Sequence, residues 1–339
     1  MMDSPVQVLP TYGRDLIAGI DPAIAADCVL LCAPEPWELV RERFPGEPRA
    51  VAVPQSMEQA RIEAQLDSLP PSAAVIGLGG GSACDAAKLH AWRSGARLLL
   101  IPSILSVDAP FTRAIGVRVD GRVRYIGDAL PEQLLIDFDL LQRAAPRLNR
   151  GGVGDLLSIH TALWDWKLAH RELGEAYDAE IAAASQALFE RMVAGADAIR
   201  ECSEAGLRLL CELYVAEVAL CERFGNSRPE EGSEHYLAYC LESLTGKAYL
   251  HGELIALCVL LTAQCQEQPI VPLRALLRTL GVAHDPASVG VSHDELEQAL
   301  LRLPSYLQEE TQLPYGVYHH RGMNAERAAA LVATLEDTP

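Results

Sequence analysis

The sequence predicts an α/β fold, with a parallel sheet and crossover helices in its N-terminal part and helices alone in the rest. Three observations predict it. Through about the first 140 residues, short apolar runs alternate with stretches of helical spacing, which is typical of parallel strands joined by helices. One of these runs leads directly into three consecutive glycines. After Pro146 the apolar runs stop, and only helical patterns remain.

Five short apolar runs are predicted to be buried strands, because turn-forming residues bound each of them. They are DCVLLCA (27–33), AVAV (50–53), AAVIGL (73–78), RLLLI (97–101) and QLLID (133–137). Helical spacing separates some of these runs, at 56–69 and at 82–95. Over residues 114–127 the residue types alternate around Asp120-Gly121, a pair that predicts a two-residue hairpin turn.

The C-terminal part of the chain is predicted to be a series of helices, because its apolar residues recur at helical spacing. The stretches include IHTALWDWKLAHREL, AEIAAASQALFERMVAGADAIREC, GLRLLCELYVAEVALCERF, EHYLAYCLESL and ELIALCVLLTAQCQ. The pattern changes near residues 146–151. We therefore expect an α/β domain over residues 1–147 and an all-helical domain over residues 148–339.

Composition excludes several classes of protein. Half of the 339 residues are hydrophobic, which excludes a disordered chain. The formal net charge is −18, so nucleic-acid and anionic membrane partners are not expected. No apolar run approaches the ~20 residues of a membrane span, and the N-terminus has no secretory signal pattern. The nine cysteines form no CxxC pair, so we expect reduced thiols and a cytoplasmic protein.

The apolar run 73–78 leads into a glycine-rich turn, GGGS at 79–82, at the start of a predicted helix. Glycine backbone can approach a pyrophosphate closely, and free N–H groups at a helix start favour an anion. The spacing differs from the GxGxxG dinucleotide fingerprint, because Ser82 stands at the last glycine position. A tight turn that binds nothing is the alternative. In the helix that follows, Asp85 could complement the N-terminus, and Lys88 could contact a phosphate or lie in solvent.

Two of the nine histidines lie in a setting suited to metal binding. His235 and His251 each stand at the start of a predicted helix, where the helix dipole favours the neutral imidazole that coordinates metals. Asp155 follows a glycine-rich turn and opens another apolar helix. One carboxylate and two imidazoles are a set typical of catalytic metal sites, which keep a position open for substrate. A helix cap, or a histidine satisfied within the core, is the alternative for each residue.

Five motifs, in order along the chain, resemble those of the iron-containing alcohol dehydrogenase and dehydroquinate synthase-like superfamily. They are GGGSACDAAK, PSILSVDAPFT, AAPRLNRGGVGDLLS with DWKLA, FGNSRPEEGSEH, and LHGE. The segment SRPEEGSEH is similar to that of the sn-glycerol-1-phosphate dehydrogenase branch, and the glycerol dehydrogenases come next. The resemblance implies a Rossmann-like nucleotide-binding α/β domain followed by an all-helical metal-binding domain.

The resemblance also implies roles for individual residues. The implied metal ligands are Asp155, His235 and His251. The implied NAD(P)-binding residues are Gly79, Gly80, Gly81, Ser82, Ala83, Cys84, Asp85, Ser103, Ser106 and Thr112. Asp108 is expected to hydrogen-bond the substrate. The candidate catalytic residues are Asp108, Asp155 and Tyr239.

The chain departs from the family pattern at two informative positions. Tyr239 stands where the family has a histidine that contacts substrate, on the same helix face as His235. A neutral phenol there is expected to favour an uncharged hydroxyketone over a phosphorylated one. Ile159 stands where the long iron-dependent members have a further histidine, which favours a three-ligand, zinc-type site. Iron, nickel and manganese stay open as alternative metals.

The function implied by the resemblance is that of a metal-dependent, NAD(P)-linked dehydrogenase of a small polyol or polyol phosphate, with reduction of dihydroxyacetone phosphate as the leading expectation. Glu35, after the run 27–33, could accept a bond from a ribose hydroxyl and so favour NAD over NADP. Arg228 and Lys247 are the candidate cations for a substrate phosphate. A glycerol or other alcohol dehydrogenase, a sugar-phosphate cyclase of the dehydroquinate synthase type, and a non-catalytic nucleotide-binding homologue stay open as alternatives. A homo-oligomer is expected.

Overall fold

A six-stranded parallel sheet, a hairpin and a series of helices form the computed structural model, which describes residues 9–335 and confirms the predicted fold class. The strands are β1 (Thr11–Gly13), β2 (Cys28–Cys32), β3 (Ala50–Ala52), β4 (Ala74–Gly79), β5 (Arg97–Pro102), β6 (Ile115–Val119), β7 (Arg122–Ile126) and β8 (Gln133–Asp137). The sheet order is β1-β8-β5-β4-β2-β3, with every neighbouring pair parallel. β6 and β7 form the predicted antiparallel hairpin.

Helices alternate with the strands of the sheet. After β8, the part of the chain that the structure describes contains helices and no further strand. The helices up to residue 150 are α1 (Pro22–Ala26), α2 (Pro34–Val40), α3 (Gln59–Asp67), α4 (Gly81–Ser94), α5 (Phe138–Leu141) and α6 (Pro146–Arg150). The later helices are α7 (Val153–Leu173), α8 (Ala179–Ala194), α9 (Ala196–Arg200), α10 (Glu204–Phe224), α11 (Ser233–Thr245), α12 (His251–Cys265), α13 (Val271–Leu280), α14 (Pro286–Val289), α15 (His293–Glu309), α16 (Val317–Arg321) and α17 (Ala325–Ala333). Over the described range, no helix is long and apolar enough to cross a membrane.

Three short elements near the N-terminus, β1, α1 and α2, were not predicted from the sequence. β1 has only three residues and becomes a strand by pairing with β8. α1 and α2 each begin with a proline, which has the fixed φ that suits a first helical residue. Elements this short have too few apolar repeats to produce a periodic pattern.

The order of the central strands determines where a ligand can bind. Every residue of β2 and β4 is buried, as expected for parallel strands that helices cover on both faces. From β2 the chain moves outward to β3, whereas from β4 it moves the other way to β5. Ligands in open parallel sheets bind beyond the carboxyl ends of the strands at such a reversal. The glycine turn follows β4 directly, and Glu35 follows β2.

The chain divides into two compact units. Among the described residues, the α/β unit contains 9–149 together with Cys202–Cys211, and the helical unit contains Arg150–Glu201 and residues 212–335. The segment Cys202–Cys211 has no strand signal in its sequence, and it includes the first residues of α10. The domain limits expected from the sequence, 1–147 and 148–339, stay a prediction.

Lys88 attaches the loop that follows β5 to helix α4. Its side chain is completely buried, and its Nζ lies 2.6 Å from Asp85 Oδ1. It donates to three carbonyl oxygens of the loop, those of Ala109, Thr112 and Ala114. Both roles considered for Lys88 from the sequence, a phosphate contact and a solvated side chain, are therefore wrong. The lysine satisfies carbonyl groups that the turn of the loop leaves without backbone partners.

Replacing Lys88 by methionine should lower the free energy of unfolding by about 3–5 kcal/mol, because Asp85 then loses its cation inside the protein. Urea denaturation followed by circular dichroism measures the loss. Lys167→Met is the matched control, since Lys167 is exposed on α7 and its replacement should cost less than about 0.5 kcal/mol. Equal losses in the two variants would contradict the anchoring role.

Candidate functional site

Helices α7 and α12 begin in direct backbone contact. A Cβ atom on Gly154 would overlap the carbonyl oxygen of Gly252, and a Cβ atom on Gly252 would overlap that of Gly151. Only residues without side chains allow so close an approach. Asp155 follows Gly154 and His251 precedes Gly252, so the contact brings a carboxylate and an imidazole together.

The three expected metal ligands lie close to one another. Asp155 Oδ1 is 3.3 Å from His251 Nε2, and the ring centroids of His235 and His251 are 5.6 Å apart. One donor atom from each residue lies within 4.8 Å of the other two. Asp155 and His235 are nearly buried, whereas the His251 side chain is 24% exposed. Each ligand stands in the first turn of its own helix: α7, α11 and α12, respectively.

Glu234 fixes the orientation of the His235 ring. Its Oε1 lies 3.0 Å from His235 Nδ1 and also accepts a hydrogen bond from the Gly232 N–H at 2.6 Å. Its Oε2 accepts a hydrogen bond from Thr161 Oγ1 at 2.7 Å. Because an ionised carboxylate only accepts, Nδ1 of His235 carries the proton and Nε2 is left to face a metal. Glu234 is itself completely buried, so this arrangement is built into the packed protein.

The donor set fits a divalent cation. One carboxylate and two imidazoles match the ligands of catalytic zinc sites, which keep a position open for substrate. Burial lowers the pKa of His235, but the carboxylates of Glu231, Glu234 and Asp155 outweigh burial and raise the pKa to about 10. The surroundings of His235 therefore favour a positive charge, contrary to the expectation that the helix dipole keeps this imidazole neutral, and a bound cation would supply that charge.

Tyr239 lies beside His235, as its position four residues further along the helix predicts. The two ring centroids are 5.8 Å apart. The Tyr239 hydroxyl donates a hydrogen bond to Glu231 Oε1 at 2.8 Å. The position of the phenol beside His235 is predictable from the sequence, whereas the donation of its proton to a carboxylate is not.

Both cations considered for a substrate phosphate are engaged in ion pairs. Arg228 is completely buried, and its guanidinium donates to the two carboxylate oxygens of Glu175 at 2.8 and 2.7 Å. Lys247 Nζ lies 2.6 Å from Glu295 Oε1. Arg228 is therefore a structural anchor with a neutralised charge, and the expectation that it meets a phosphate is wrong.

The glycine turn has free backbone donors at the start of a long helix. Gly79 has a φ of 155°, which L side chains rarely adopt. The third and fourth residues of α4 donate back to the carbonyl oxygen of Gly80, and α4 has no side-chain cap. The N–H groups of Gly81 and Ser82 have no acceptor within residues 9–335. These groups fit the pyrophosphate of a dinucleotide.

The same glycines also pack against the loop after β5. A Cβ atom on Gly80 would lie 2.8 Å from Ile104 Cδ1, and one on Gly81 would lie 2.9 Å from Val107 Cγ1. Ser103 N–H donates to the Gly79 carbonyl oxygen at 2.9 Å. The turn and the loop are therefore one packed assembly within the α/β unit.

The other residues expected to bind the cofactor lie in the turn, in the loop or in the first turns of α4, and most of them are buried. Ser103 and Ser106 are nearly buried, and Thr112 N–H donates to the carbonyl oxygen of Asp108 at 3.3 Å. Ala83 and Cys84 are buried, and Asp85 is paired with its lysine. At Cys84 only the backbone is therefore available to a cofactor.

Sequence reasoning missed three residues that hold these sites in place. Besides Glu234, the fully buried Asp165 accepts hydrogen bonds from the N–H groups of Ser233 (2.8 Å) and Val317 (2.9 Å). Burial raises the pKa of Asp165 to about 6. Asn149 Oδ1 accepts from the loop N–H of Leu105 at 3.0 Å. The available signal was an acidic residue inside the apolar stretch IHTALWDWKLAH, which can be buried only with partners.

Replacing Glu234 by alanine should weaken zinc binding by about 10–100-fold, because His235 loses the acceptor that orients its ring. Calorimetric titration of the metal-free protein with Zn²⁺ measures the affinity, and circular dichroism checks the fold. Thr161→Val, which keeps the carboxylate and removes one of its donors, should cause a smaller loss. His170→Ala, at an exposed histidine of the same unit, is the control. Unchanged affinity in Glu234→Ala would refute the orienting role.

Replacing Gly80 by valine should weaken NADH binding at least about tenfold, because the side chain enters the space beside the free N–H groups. Titration of protein fluorescence with NADH measures the affinity. The new side chain also presses on Ile104, so Gly80→Val is repeated together with Ile104→Ala, which makes room for it. Binding should stay weak in the double variant. Recovery there would mean that the loop, and not the turn, caused the loss.

Comparison with known proteins relates this geometry to a family. The family described as iron-containing alcohol dehydrogenase matches residues 40–146. A glycerol-1-phosphate dehydrogenase, NAD(P)+, of Aeropyrum pernix is 33% identical over 262 residues, 76% of this chain and 72% of that protein. The protein of the same name in Hyperthermus butylicus is 31% identical over 287 residues, 80% of each chain. That of Haloquadratum walsbyi is 27% identical over 319 residues, 90% of this chain and 91% of that protein.

Solved structures share the fold over nearly the whole chain. Glycerol dehydrogenase from Schizosaccharomyces pombe has a TM-score of 0.71 at 16% identity and covers 98% of this chain and 90% of its own. A probable glycerol dehydrogenase from Sinorhizobium meliloti has a TM-score of 0.70 at 17% identity, with 98% of each chain covered. These identities support the fold alone, whereas the Aeropyrum and Hyperthermus proteins exceed 30% identity over most of their length. The chain belongs to the iron-containing alcohol dehydrogenase family, as its motifs predict.

Proposed function

We propose that this protein is a metal-dependent, NAD(P)-linked dehydrogenase that interconverts a small polyol, or its phosphate, and the corresponding ketone. Glycerol 1-phosphate and dihydroxyacetone phosphate are the first pair to test, because the relatives above 30% identity are named glycerol-1-phosphate dehydrogenases. The observation that carries the proposal is the convergence of Asp155, His235 and His251, whose donor atoms lie within 4.8 Å of one another.

In the proposed mechanism these three side chains hold a divalent cation. His235 would use Nε2, since its Nδ1 is bonded to Glu234. When bound, the cation supplies polarisation of the substrate oxygen and the nicotinamide supplies the hydride. Zinc is the proposed metal, because it is redox-inert and suits mixed nitrogen and oxygen ligands; iron, nickel and manganese are the alternatives. Asp108 and Tyr239 are the proposed substrate contacts.

The helix starts contribute a further electrostatic element. α7, α11 and α12 each place a ligand in their first turn, so three N-terminal ends converge on the ligand cluster. Each end has a partial positive charge, which stabilises negative charge that develops on an oxygen during reduction of a carbonyl. The backbone would thus lower the energy of the transition state in addition to holding the ligands.

The cofactor is proposed to bind at the carboxyl ends of β2 and β4. The free N–H groups of Gly81 and Ser82 would receive the pyrophosphate. Glu35 is exposed at the start of α2, where its carboxylate could accept a bond from a ribose hydroxyl. A carboxylate repels the additional phosphate of NADP, so NAD is the proposed cofactor.

The protein is further proposed to act in the cytoplasm and as a homo-oligomer. All nine cysteines lie within the described residues, and all are free thiols. Free thiols in this number suit a reducing compartment. The oligomer is proposed from the resemblance to the family.

The proposal predicts about one divalent metal per chain, and NADH oxidation with a small ketone that depends on this metal. Elemental analysis measures the metal, and absorbance at the NADH band follows oxidation across dihydroxyacetone, dihydroxyacetone phosphate and related ketones. His251→Ala should lose both metal and activity and keep its fold. His170→Ala, at an exposed histidine, should lose neither. A metal-loaded protein that binds NADH but oxidises it with none of these ketones would support the non-catalytic alternative.

A further inference from the structure

Glu231 and Tyr239 form a hydrogen-bonded pair next to the ligand His235. The Tyr239 hydroxyl has a single proton, and that proton is donated to Glu231 Oε1 at 2.8 Å. The phenol oxygen can therefore only accept further hydrogen bonds. The pair offers a negative charge and acceptor atoms, and a phosphate group, which needs donors and positive charge, finds neither in it.

The loop that carries Glu231 is fixed in place. Arg228 anchors it from inside the protein through its two bonds to Glu175 and a third to the carbonyl oxygen of Tyr315 at 2.8 Å. The N–H group of Glu231 donates to the carbonyl oxygen of Ser227 at 2.7 Å. The buried arginine thus holds the backbone from which the Glu231 carboxylate projects. The carboxylate itself is held by the hydrogen bond from Tyr239.

The net negative charge of the helical unit also disfavours an anionic substrate. Over residues 150–201 and 212–335 the unit contains 25 acidic residues against 13 basic ones. The two basic residues closest in sequence to the histidine segments, Arg228 and Lys247, are both neutralised by carboxylates. The helical unit thus has an excess of acidic residues, and one of its carboxylates, that of Glu231, is bonded to Tyr239 beside the ligand cluster.

We propose that the Glu231–Tyr239 pair selects the charge of the substrate, so that an uncharged polyol or hydroxyketone is used in preference to a phosphorylated one. The inference rests on the proposed dehydrogenase function and narrows it. Glu231 is bonded to Tyr239, whose ring centroid lies 5.8 Å from that of His235, so a phosphate next to a carbon that reacts at the cluster would approach a carboxylate. Repulsion between the carboxylate and the phosphate, in surroundings less polar than water, is large enough to change the preference between the two substrates.

The test compares kcat/KM for dihydroxyacetone and for dihydroxyacetone phosphate with NADH. The wild-type protein should prefer dihydroxyacetone. Glu231→Gln, which keeps the acceptor for Tyr239 and removes the charge, should shift the ratio toward the phosphorylated ketone by about tenfold. Tyr239→His should shift it in the same direction, because an imidazolium adds a charged donor. The shift should appear mainly in KM, with metal content unchanged in both variants.

The salt dependence separates a charge effect from a packing effect. Higher ionic strength should improve the use of the phosphorylated ketone by the wild-type protein, and it should do so less in Glu231→Gln. Glu180→Gln, at a carboxylate that is 87% exposed on α8, removes one charge elsewhere and should leave the ratio unchanged. A wild-type preference for the phosphorylated ketone, or a ratio that Glu231→Gln leaves unchanged, would overturn the inference.

A binding measurement keeps the inference testable if neither ketone is reduced. The zinc-loaded protein with NAD is titrated calorimetrically with glycerol and with glycerol 1-phosphate. The wild-type protein should bind glycerol more tightly than glycerol 1-phosphate, and Glu231→Gln should reduce or reverse this preference. That result would support charge selection even if the dehydrogenase proposal has failed. Equal binding of the two compounds, or no binding of either, would reject it.

Discussion

The backbone contact between the starts of α7 and α12 is the constraint on which the rest of the ligand cluster depends. Metal–ligand distances tolerate deviations of only about 0.2 Å. A methyl group at Gly154 or Gly252 would overlap the opposite backbone and force the two helices apart by more than that. The positions of Asp155 and His251 therefore follow from two neighbouring glycines that offer no side chain to a metal. The apolar residues of α12, almost all buried, supply the packing that keeps the contact closed.

Electrostatics within the helical unit must reconcile two opposed requirements. Helix N-termini repel a cation, yet three of them begin at the proposed metal ligands. Carboxylates offset the repulsion: Asp155 as a ligand, Glu234 behind His235, and Glu231 beside Tyr239. Some of the excess acidic residues in the composition thus stabilise a cation at the ligand cluster. It has a cost as well, because the same charges disfavour an anionic substrate.

Local patterns in the sequence predicted four central strands and the helices α7 to α12, but not the 17-residue helix α15, and they did not predict contacts between distant residues. The strands β2, β4, β5 and β8 were identifiable because each is apolar, short and bounded by turns. The three proposed metal ligands, whose donor atoms the structure brings within 4.8 Å of one another, were named from helix starts and family motifs. Lys88 was misjudged because its carbonyl partners lie 21 to 26 residues further along the chain. Arg228 was misjudged because its carboxylate partner lies 53 residues earlier. Such pairings become visible only when the chain has folded.

The distribution of the ligands over three separate helices has a thermodynamic consequence. A cation that binds only the folded arrangement cross-links α7, α11 and α12, and it adds about 2.7 kcal/mol of stability when its free concentration is 100 times its dissociation constant. The free energy of unfolding of the helical unit then varies with the metal concentration, and a chelator that removes the metal lowers it. In a cell, chains that lack metal spend more time unfolded and are degraded faster. Metal starvation would therefore lower the amount of this protein as well as its activity.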